Sequence, residues 1–278
     1  MNSGYFEASS FMRRDFPMID YEAENLNFLA HFHEEIEIVV VTDGAIDINC
    51  DGSCFTATKD GICIFMPAQI HSYSSSQPNK LHLFKFYCKH SLKENDFSSM
   101  RIENNLLKGN LPVNQELRKL TDEIVEEAKT KGVGYEYMVN SLSQKILCTL
   151  LRCNKLYKIN TDEKNKQFIY INLLSKVNSY IDEHYSEPIS LADISHHCNL
   201  SEYYFAHIFK KATGLTFINY LTAYRLDKAR LLLLHTKKKI IDIALECGFS
   251  NTRAFNRAFQ KIYSMTPTEH KTNKGLVI

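Results

Sequence analysis

Residues 189–214 and 239–264 run through the same order of signals: a short apolar helix, a tight turn, then a longer helix with one polar face. In the first half, Ser190 with Asp193 three residues later is a capping-box start, with Asp in place of the usual Glu or Gln. The pattern predicts a helix to about His197, a turn at Asn199-Leu200-Ser201, and Ser201 capping a second helix over Glu202–Ala212. That helix buries Phe205, Ile208 and Phe209 at i, i+3, i+4 and stops at Gly214. In the second half, Lys239–Ala244 opens a short helix and Cys247-Gly248-Phe249 forms the turn, with Gly248 free to take positive φ. Ser250 is expected to cap a helix burying Phe255, Ala258 and Phe259. Between the halves, Phe217–Leu234 reads as a long helix with a buried stripe of Tyr220, Leu221, Tyr224, Leu231 and Leu232. Two helix-turn-helix units joined by one helix leave little room for anything but an all-α domain in this part of the chain.

The rest of the chain has another character. At 278 residues there is length for two domains, and 44% hydrophobic with 23% charged residues is ordinary for a soluble protein. No apolar run approaches the ~20 residues that span a bilayer, and the N-terminus lacks a signal-peptide pattern. The eight cysteines are scattered (Cys50, Cys54, Cys63, Cys88, Cys148, Cys153, Cys198, Cys247) and match no zinc or disulfide spacing, so a reducing, cytoplasmic setting is expected. Short strands such as Glu35–Thr42, Ala45–Cys50, Gly61–Met66 and Leu81–Tyr87, with turn signals at Asp43-Gly44, Asp51-Gly52 and Gln77-Pro78-Asn79, suggest a sandwich or barrel. Leu117, Leu120, Ile124 and Ala128, then Met138, Leu142, Ile146 and Leu150, predict two amphipathic helices broken at Gly132–Gly134. The polar stretch from Tyr157 to Lys166 reads as a linker. Charge divides along the same line. Residues 168–278 hold 14 Lys/Arg against 9 Asp/Glu, whereas residues 1–167 are net acidic. Such asymmetry fits a chain in which one domain meets a polyanion.

The segment Leu191-Ala192…Ser201…Phe205…Phe209-Lys210-Lys211…Gly214…Tyr220-Leu221…Arg225-Leu226…Ala229…Leu232-Leu233 resembles the AraC/XylS family of bacterial transcription regulators. So does Ile243-Ala244…Gly248-Phe249-Ser250-Asn251…Phe255-Asn256-Arg257-Ala258-Phe259…Thr266-Pro267. The departures are Ser264 for a usual glycine, Gln260 for lysine, and His270-Lys271 for a Tyr-Arg pair. The resemblance implies that both second helices enter successive major-groove segments of double-stranded DNA. The candidate base readers are then Glu202, Tyr203, Ala206, His207 and Lys210 in the first unit, with Asn251, Thr252, Arg253, Asn256 and Arg257 in the second. Arg253 and Arg257 suit guanine edges and Asn256 an adenine, while Lys210, Lys211 and Lys237–Lys239 suit phosphates.

In the N-terminal part, His31-Phe32-His33-Glu34-Glu35-Ile36-Glu37, with Gly44 beyond, resembles the first motif of the cupin barrel, and Gly61…Pro67…His71 partly resembles the second. Residues 31, 33 and 37 share strand parity and so can face one way, with His71 arriving from a neighbouring strand. Three readings stand open: His31, His33, Glu37 and His71 contact a polar small-molecule effector such as a sugar, brace the barrel, or ligate a metal. The first is the expected one, and no cofactor is called for. A cupin enzyme fused to a DNA anchor is the alternative of another class. The expectation is therefore an α+β multidomain chain: a cupin-like β-barrel sensor over 1–113, a helical dimerisation pair over 114–156, a linker over 157–167 and a DNA-binding domain over 168–278. The resemblance implies a transcription regulator and not an enzyme. Activation is the habit the resemblance implies, with a homodimer on DNA, RNA polymerase as a further candidate partner, and the arm (residues 1–20) and linker relaying effector binding.

Overall fold

The computed structural model of the chain describes residues 18–86, 97–107, 112–153 and 156–272. The N-terminal strands are β1 (Met18–Glu24), β2 (Phe28–His31), β3 (Ile36–Cys50), β4 (Ser53–Thr58), β5 (Ile62–Phe65), β6 (His71–Ser74), β7 (Asn79–Phe86), β8 (Met100–Ile102) and β9 (Leu106–Leu107). Strand β3 organises them. Its first part pairs with β7 and β5, and its second part pairs with β4 and β6, so one bent strand serves both walls of a barrel-like sandwich. Strand β2 closes the second wall against β6, with His31 opposite His71.

The bend corrects one expectation. Asp43-Gly44 is not a turn between two strands; the ladder with β7 shifts register there and β3 continues. Gly44 sits at φ +71, and a Cβ on it would lie 1.9 Å from the Pro78 carbonyl oxygen, so the bulge requires glycine. Asp51-Gly52 is a true two-residue hairpin turn, both residues at positive φ.

Between the walls lie Val39, Val41, Ile46, Ile48, Ala57, Cys63, Phe65, Leu81 and Leu83. The opposite face of β3 (Ile36, Ile38, Val40) is buried too, because helices α1 (Pro112–Thr130) and α2 (Tyr135–Arg152) lie across it through Leu117, Leu120, Ile124, Val139, Leu142, Ile146 and Leu150. A strand covered on both faces reads as a continuous apolar run rather than as an alternation. Met138 is exposed and Ala128 half-buried, with Val139 taking the core position expected of Met138.

The stretch expected as a linker carries regular structure. Strand β10 (Leu156–Lys158) pairs with β8, and α3 (Thr161–His184) starts at a capping box between Asn160 and Glu163. Its polarity is that of a capped, solvent-facing first turn. The C-terminal half follows as α4 (Leu191–His197), α5 (Glu202–Thr213), α6 (Phe217–His235), α7 (Ile240–Glu246), α8 (Thr252–Tyr263) and α9 (Pro267–Thr272). On α6 the buried stripe is Phe217, Tyr220, Leu221, Tyr224, Leu226, Ala229 and Leu233, whereas Leu231 is exposed. The two halves of the chain share a core: Leu29, Ala30, Phe32 and Ile70 of the barrel are buried with Leu173, Leu174, Ile208, Phe209, Ala212 and Tyr220. The N-terminal arm (residues 1–17), Tyr87 and Cys88 lie outside the described residues.

Helix α8 ends on Ser264 at φ +55, a left-handed cap without glycine. Replacing it, Ser264→Gly, is expected to raise unfolding stability by about 0.5–1 kcal/mol, the left-handed penalty less the entropy glycine adds to the unfolded chain. A urea midpoint that stays put or falls would contradict this.

Candidate DNA interface and barrel cluster

Each recognition helix is built by a cap and an apolar stripe. Ser201 Oγ accepts from the Tyr204 amide at the start of α5, whose Phe205, Ile208, Phe209 and Ala212 are buried. Glu202, Tyr203, Ala206, His207 and Lys210 face outward, and so do Tyr204 and Lys211. In α8 the cap is Asn251, not Ser250. Its Oδ1 accepts from the Ala254 amide at 2.8 Å, and Ser250 Oγ accepts from Asn251 Nδ2. Asn holds the position because its side-chain oxygen reaches the third amide on, leaving Ser250 outside the helix. Phe255 and Phe259 face inward, Thr252 is half-buried, and Arg253, Asn256 and Arg257 are exposed. Neither arginine is paired with an acidic side chain among the described residues, so both guanidinium forks face outward with their donors unspent on protein carboxylates.

The two units are held in a set relation, which sequence reasoning missed. Arg225 on α6 donates to the Tyr185 carbonyl at the end of α3 and to the Glu187 carbonyl, both at 2.7 Å. Gly248, in the turn of the second unit at φ +79, lies against the same group; a Cβ there would sit 2.6 Å from Tyr185 O and 2.9 Å from Arg225 Nε. Tyr224 and Lys228 both reach Asp182 on α3. At the far end, His270 is buried edge-on to Phe259 and Lys271 Nζ donates to the Lys238 carbonyl, so this pair supports the second unit from within.

In the barrel, His31 ends β2, His33 lies just beyond it, Glu37 is the second residue of β3 and His71 the first of β6. All four are buried, and one donor atom from each lies within 4.8 Å of the others. The parity argument for 31, 33 and 37 is corrected: the chain leaves β2 before Ile36, so Glu37 belongs to a different strand and the four meet by closure of the barrel. Glu37 Oε2 lies 2.7 Å from His33 Nε2, 3.3 Å from His71 Nε2 and 3.1 Å from Lys85 Nζ, while Oε1 accepts from the Tyr73 hydroxyl. Tyr73 and Lys85 are the members the sequence reading missed; each sits at matching parity, two residues past His71 and opposite Glu37 across the β3–β7 ladder.

The charges respond accordingly. Burial would raise the Glu37 carboxyl, but His71 and His33 outweigh it and hold it well below the usual carboxylate range. Burial would lower His33, but its bond to Glu37 raises it. Burial, with His71 alongside, lowers His31 well below the usual imidazole value, and burial brings Lys85 down to about 7. Each imidazole Nδ1 faces a backbone carbonyl oxygen: His31 to Leu29 at 2.9 Å, His33 to Glu35 at 3.1 Å and His71 to Gln69 at 2.9 Å. A carbonyl only accepts, so all three Nδ1 atoms carry hydrogen.

Paired recognition helices on one linking helix, with a barrel set against the first of them, define a two-domain DNA-binding regulator. Comparison with known proteins agrees along the chain. Residues 16–143 match the model of the AraC-like ligand binding domain, and residues 194–273 match a helix-turn-helix domain model. The chain is 33% identical over 121 residues to the Transposon Tn10 TetD protein of Escherichia coli, covering 44% of this chain and 87% of that one. It is 26% identical over 278 residues to the melibiose operon regulatory protein of Escherichia coli, covering 91% and 86%. Among solved structures, unsaturated fatty acid bound ToxT from Vibrio cholerae superposes with a TM-score of 0.52 at 15% identity, covering 94% of this chain and 97% of that chain, which shows a shared fold. The chain belongs to the AraC family of transcriptional regulators. Among the described residues no helix is long and apolar enough to cross a membrane.

The approach at Gly248 makes a prediction. Gly248→Ala is expected to weaken binding to a full operator at least tenfold through displacement of the second unit, with little change in the barrel's thermal transition; unchanged operator affinity would contradict it.

Proposed function

We propose that this chain is an effector-responsive, sequence-specific transcription activator of the cytoplasm that works as a homodimer on DNA. Its recognition helices present Tyr203, His207 and Lys210 in one unit, and Arg253, Asn256 and Arg257 in the other, to successive major-groove segments. Glu202, Ala206, Asn251 and Thr252 flank these at the helix starts. Lys211 and Lys237–Lys239 take phosphates, which position without specifying. Homodimerisation through the α1–α2 pair raises the effective concentration at paired half-sites, and RNA polymerase is the partner that activation requires.

The observation that carries the reading is the common core of barrel and first unit. Leu29, Ala30 and Phe32 are buried together with Ile208, Phe209 and Tyr220, and the Gln167 side chain donates to the Ala68 carbonyl at 2.8 Å. A molecule that changes the barrel mouth therefore changes what α5 and α6 rest on, by no more than its difference in affinity for the two arrangements. Here the groups on offer are His31, His33, Glu37 and His71, a polar set suited to a polar effector.

The test is selection of genomic fragments by purified protein, followed by titration across salt. An enriched pair of half-sites, bound far more tightly than scrambled DNA, is expected; binding without sequence preference would overturn the reading. On the selected site Arg257→Ala is expected to cost about 1–3 kcal/mol, with a much smaller loss on scrambled DNA. Equal losses on both would reduce Arg257 to a phosphate contact. Sedimentation that returns a monomer both free and on the operator would exclude the homodimer.

A further inference from the structure

We propose that the two recognition helices read DNA by different chemistry: α8 reads purine edges by hydrogen bonding, whereas α5 reads thymine methyl groups through Tyr203 and Ala206. Tyr203 is then the specificity-determining residue of the first unit. The assignment rests on the reading that both helices enter the major groove.

The two helices are built alike, position by position. Ser201 caps α5 and Asn251 caps α8, and each side chain accepts from the amide three residues on. Phe205 and Phe209 are fully buried in one helix, Phe255 and Phe259 in the other. Each helix then stops on a left-handed residue, Gly214 or Ser264, whose amide donates to the carbonyl of Lys210 or Gln260. With both ends and the buried face in common, Tyr203 stands where Arg253 stands, Ala206 where Asn256 stands and His207 where Arg257 stands. All six are exposed. The match depends on Asn251 being the cap; counted from Ser250, the phenylalanines fall out of step by one residue and the correspondence is lost.

At the three matched positions the second unit offers two guanidinium forks and a carboxamide, which fit the paired hydrogen-bonding groups of guanine and adenine. The first unit offers a phenol, a methyl and an imidazole. Neither the Tyr203 ring nor the Ala206 methyl forms a forked bond; what each brings to a base edge is apolar surface. In the major groove the apolar group on a base edge is the C5-methyl of thymine. Tyr203 and Ala206 lie side by side on the helix, three residues apart, so together they form one apolar step. Tyr203 is 85% exposed, so its ring takes no part in the core of the first unit and keeps its apolar area for a partner. Glu202 adds a criterion of exclusion. Its carboxylate only accepts, and guanine presents only acceptors in this groove, so guanine is disfavoured at the base edge it faces. The matching position in α8 is Thr252, which carries no charge. Burial of one methyl group corresponds to about fourfold in affinity.

The experiment titrates the full chain against the genomic fragment selected above, with single bases replaced by analogues. The segment whose preference is lost in Arg253→Ala or Arg257→Ala is that of α8; the other is that of α5. Deoxyuridine in place of thymine removes only the methyl. In the α5 segment it is expected to weaken binding about fourfold at each contacted thymine, and in the α8 segment by less than about twofold. Deazaguanine, which lacks the N7 acceptor, is expected to do the reverse, with a loss of about tenfold in the α8 segment alone. Tyr203→Ala erases the deoxyuridine effect and Tyr203→Phe keeps it, because the ring and not the hydroxyl makes the contact. The triple variant Tyr203→Arg, Ala206→Asn, His207→Arg is expected to turn the first segment's preference to guanine and adenine. These positions are exposed, so the variants fold as the parent does. An α5 segment without thymine, a deoxyuridine effect absent from it, or one that persists in Tyr203→Ala overturns the assignment to α5. A preference unchanged by both arginine substitutions overturns the assignment to α8. Binding without sequence preference refutes the underlying reading and the assignment together, whereas a specific site indifferent to thymine methyls refutes the assignment and leaves the reading standing.

Discussion

The carboxylate of Glu37 is the interaction on which the barrel's end depends. It is fully buried, and an unpaired ion in such a place costs several kcal/mol. The surrounding residues meet that cost with directed partners: two imidazoles and an ammonium on one oxygen, a phenol on the other. Those partners come from β6, β7 and the turn after β2, so satisfying one charge draws several separate segments to the same point. The apolar interior behind them, with Val39, Val41 and Phe65, then packs around a fixed polar knot. The walls of the barrel and the chemistry at its end are thus consequences of the same closure.

That closure also fixes where the second domain rests. Leu29 and Ala30 of the strand that carries His31, with Phe32 just beyond it, are apolar and share the core of the first helix-turn-helix unit. Neither domain buries this surface alone. At about 25 cal/mol per Å², even a few such side chains contribute a free energy comparable to what an effector can supply on binding, so the contact can be both stable and adjustable.

Much of the DNA-binding half was legible because helices announce themselves locally. The cap at Ser190 with Asp193, the cap at Ser201, the left-handed residues at Gly214 and Gly248 and the paired phenylalanines are all short-range signals. The misreadings came where tertiary context decides. Asp43-Gly44 looks like a hairpin turn, yet the partner strand β7 runs past it and makes it a bulge. The stretch 157–167 looks like a linker because its polar residues face water, although it carries β10 and the start of α3. The four barrel residues were identified, but by a parity that does not apply across two strands, and Lys85 and Tyr73 had no motif to mark them. Ser250 and Asn251 are both good caps, and one residue of register separates them. Leu231 and Met138 sit at plausible core positions and face solvent, since periodicity places a stripe only to within one residue.

The close fit of Gly248 against Tyr185 and Arg225 makes the pair of reading heads a caliper rather than two hands. With the arginine locked onto the end of α3, the distance and twist between the heads are properties of the folded protein and cannot be renegotiated on each site. DNA that differs from the preferred site by one inserted base pair rotates half of its message out of reach by about a tenth of a turn. On the function proposed above, the chain would sense the geometry of a promoter together with its letters, and a change in operator spacing would call for a change in the turn at Gly248.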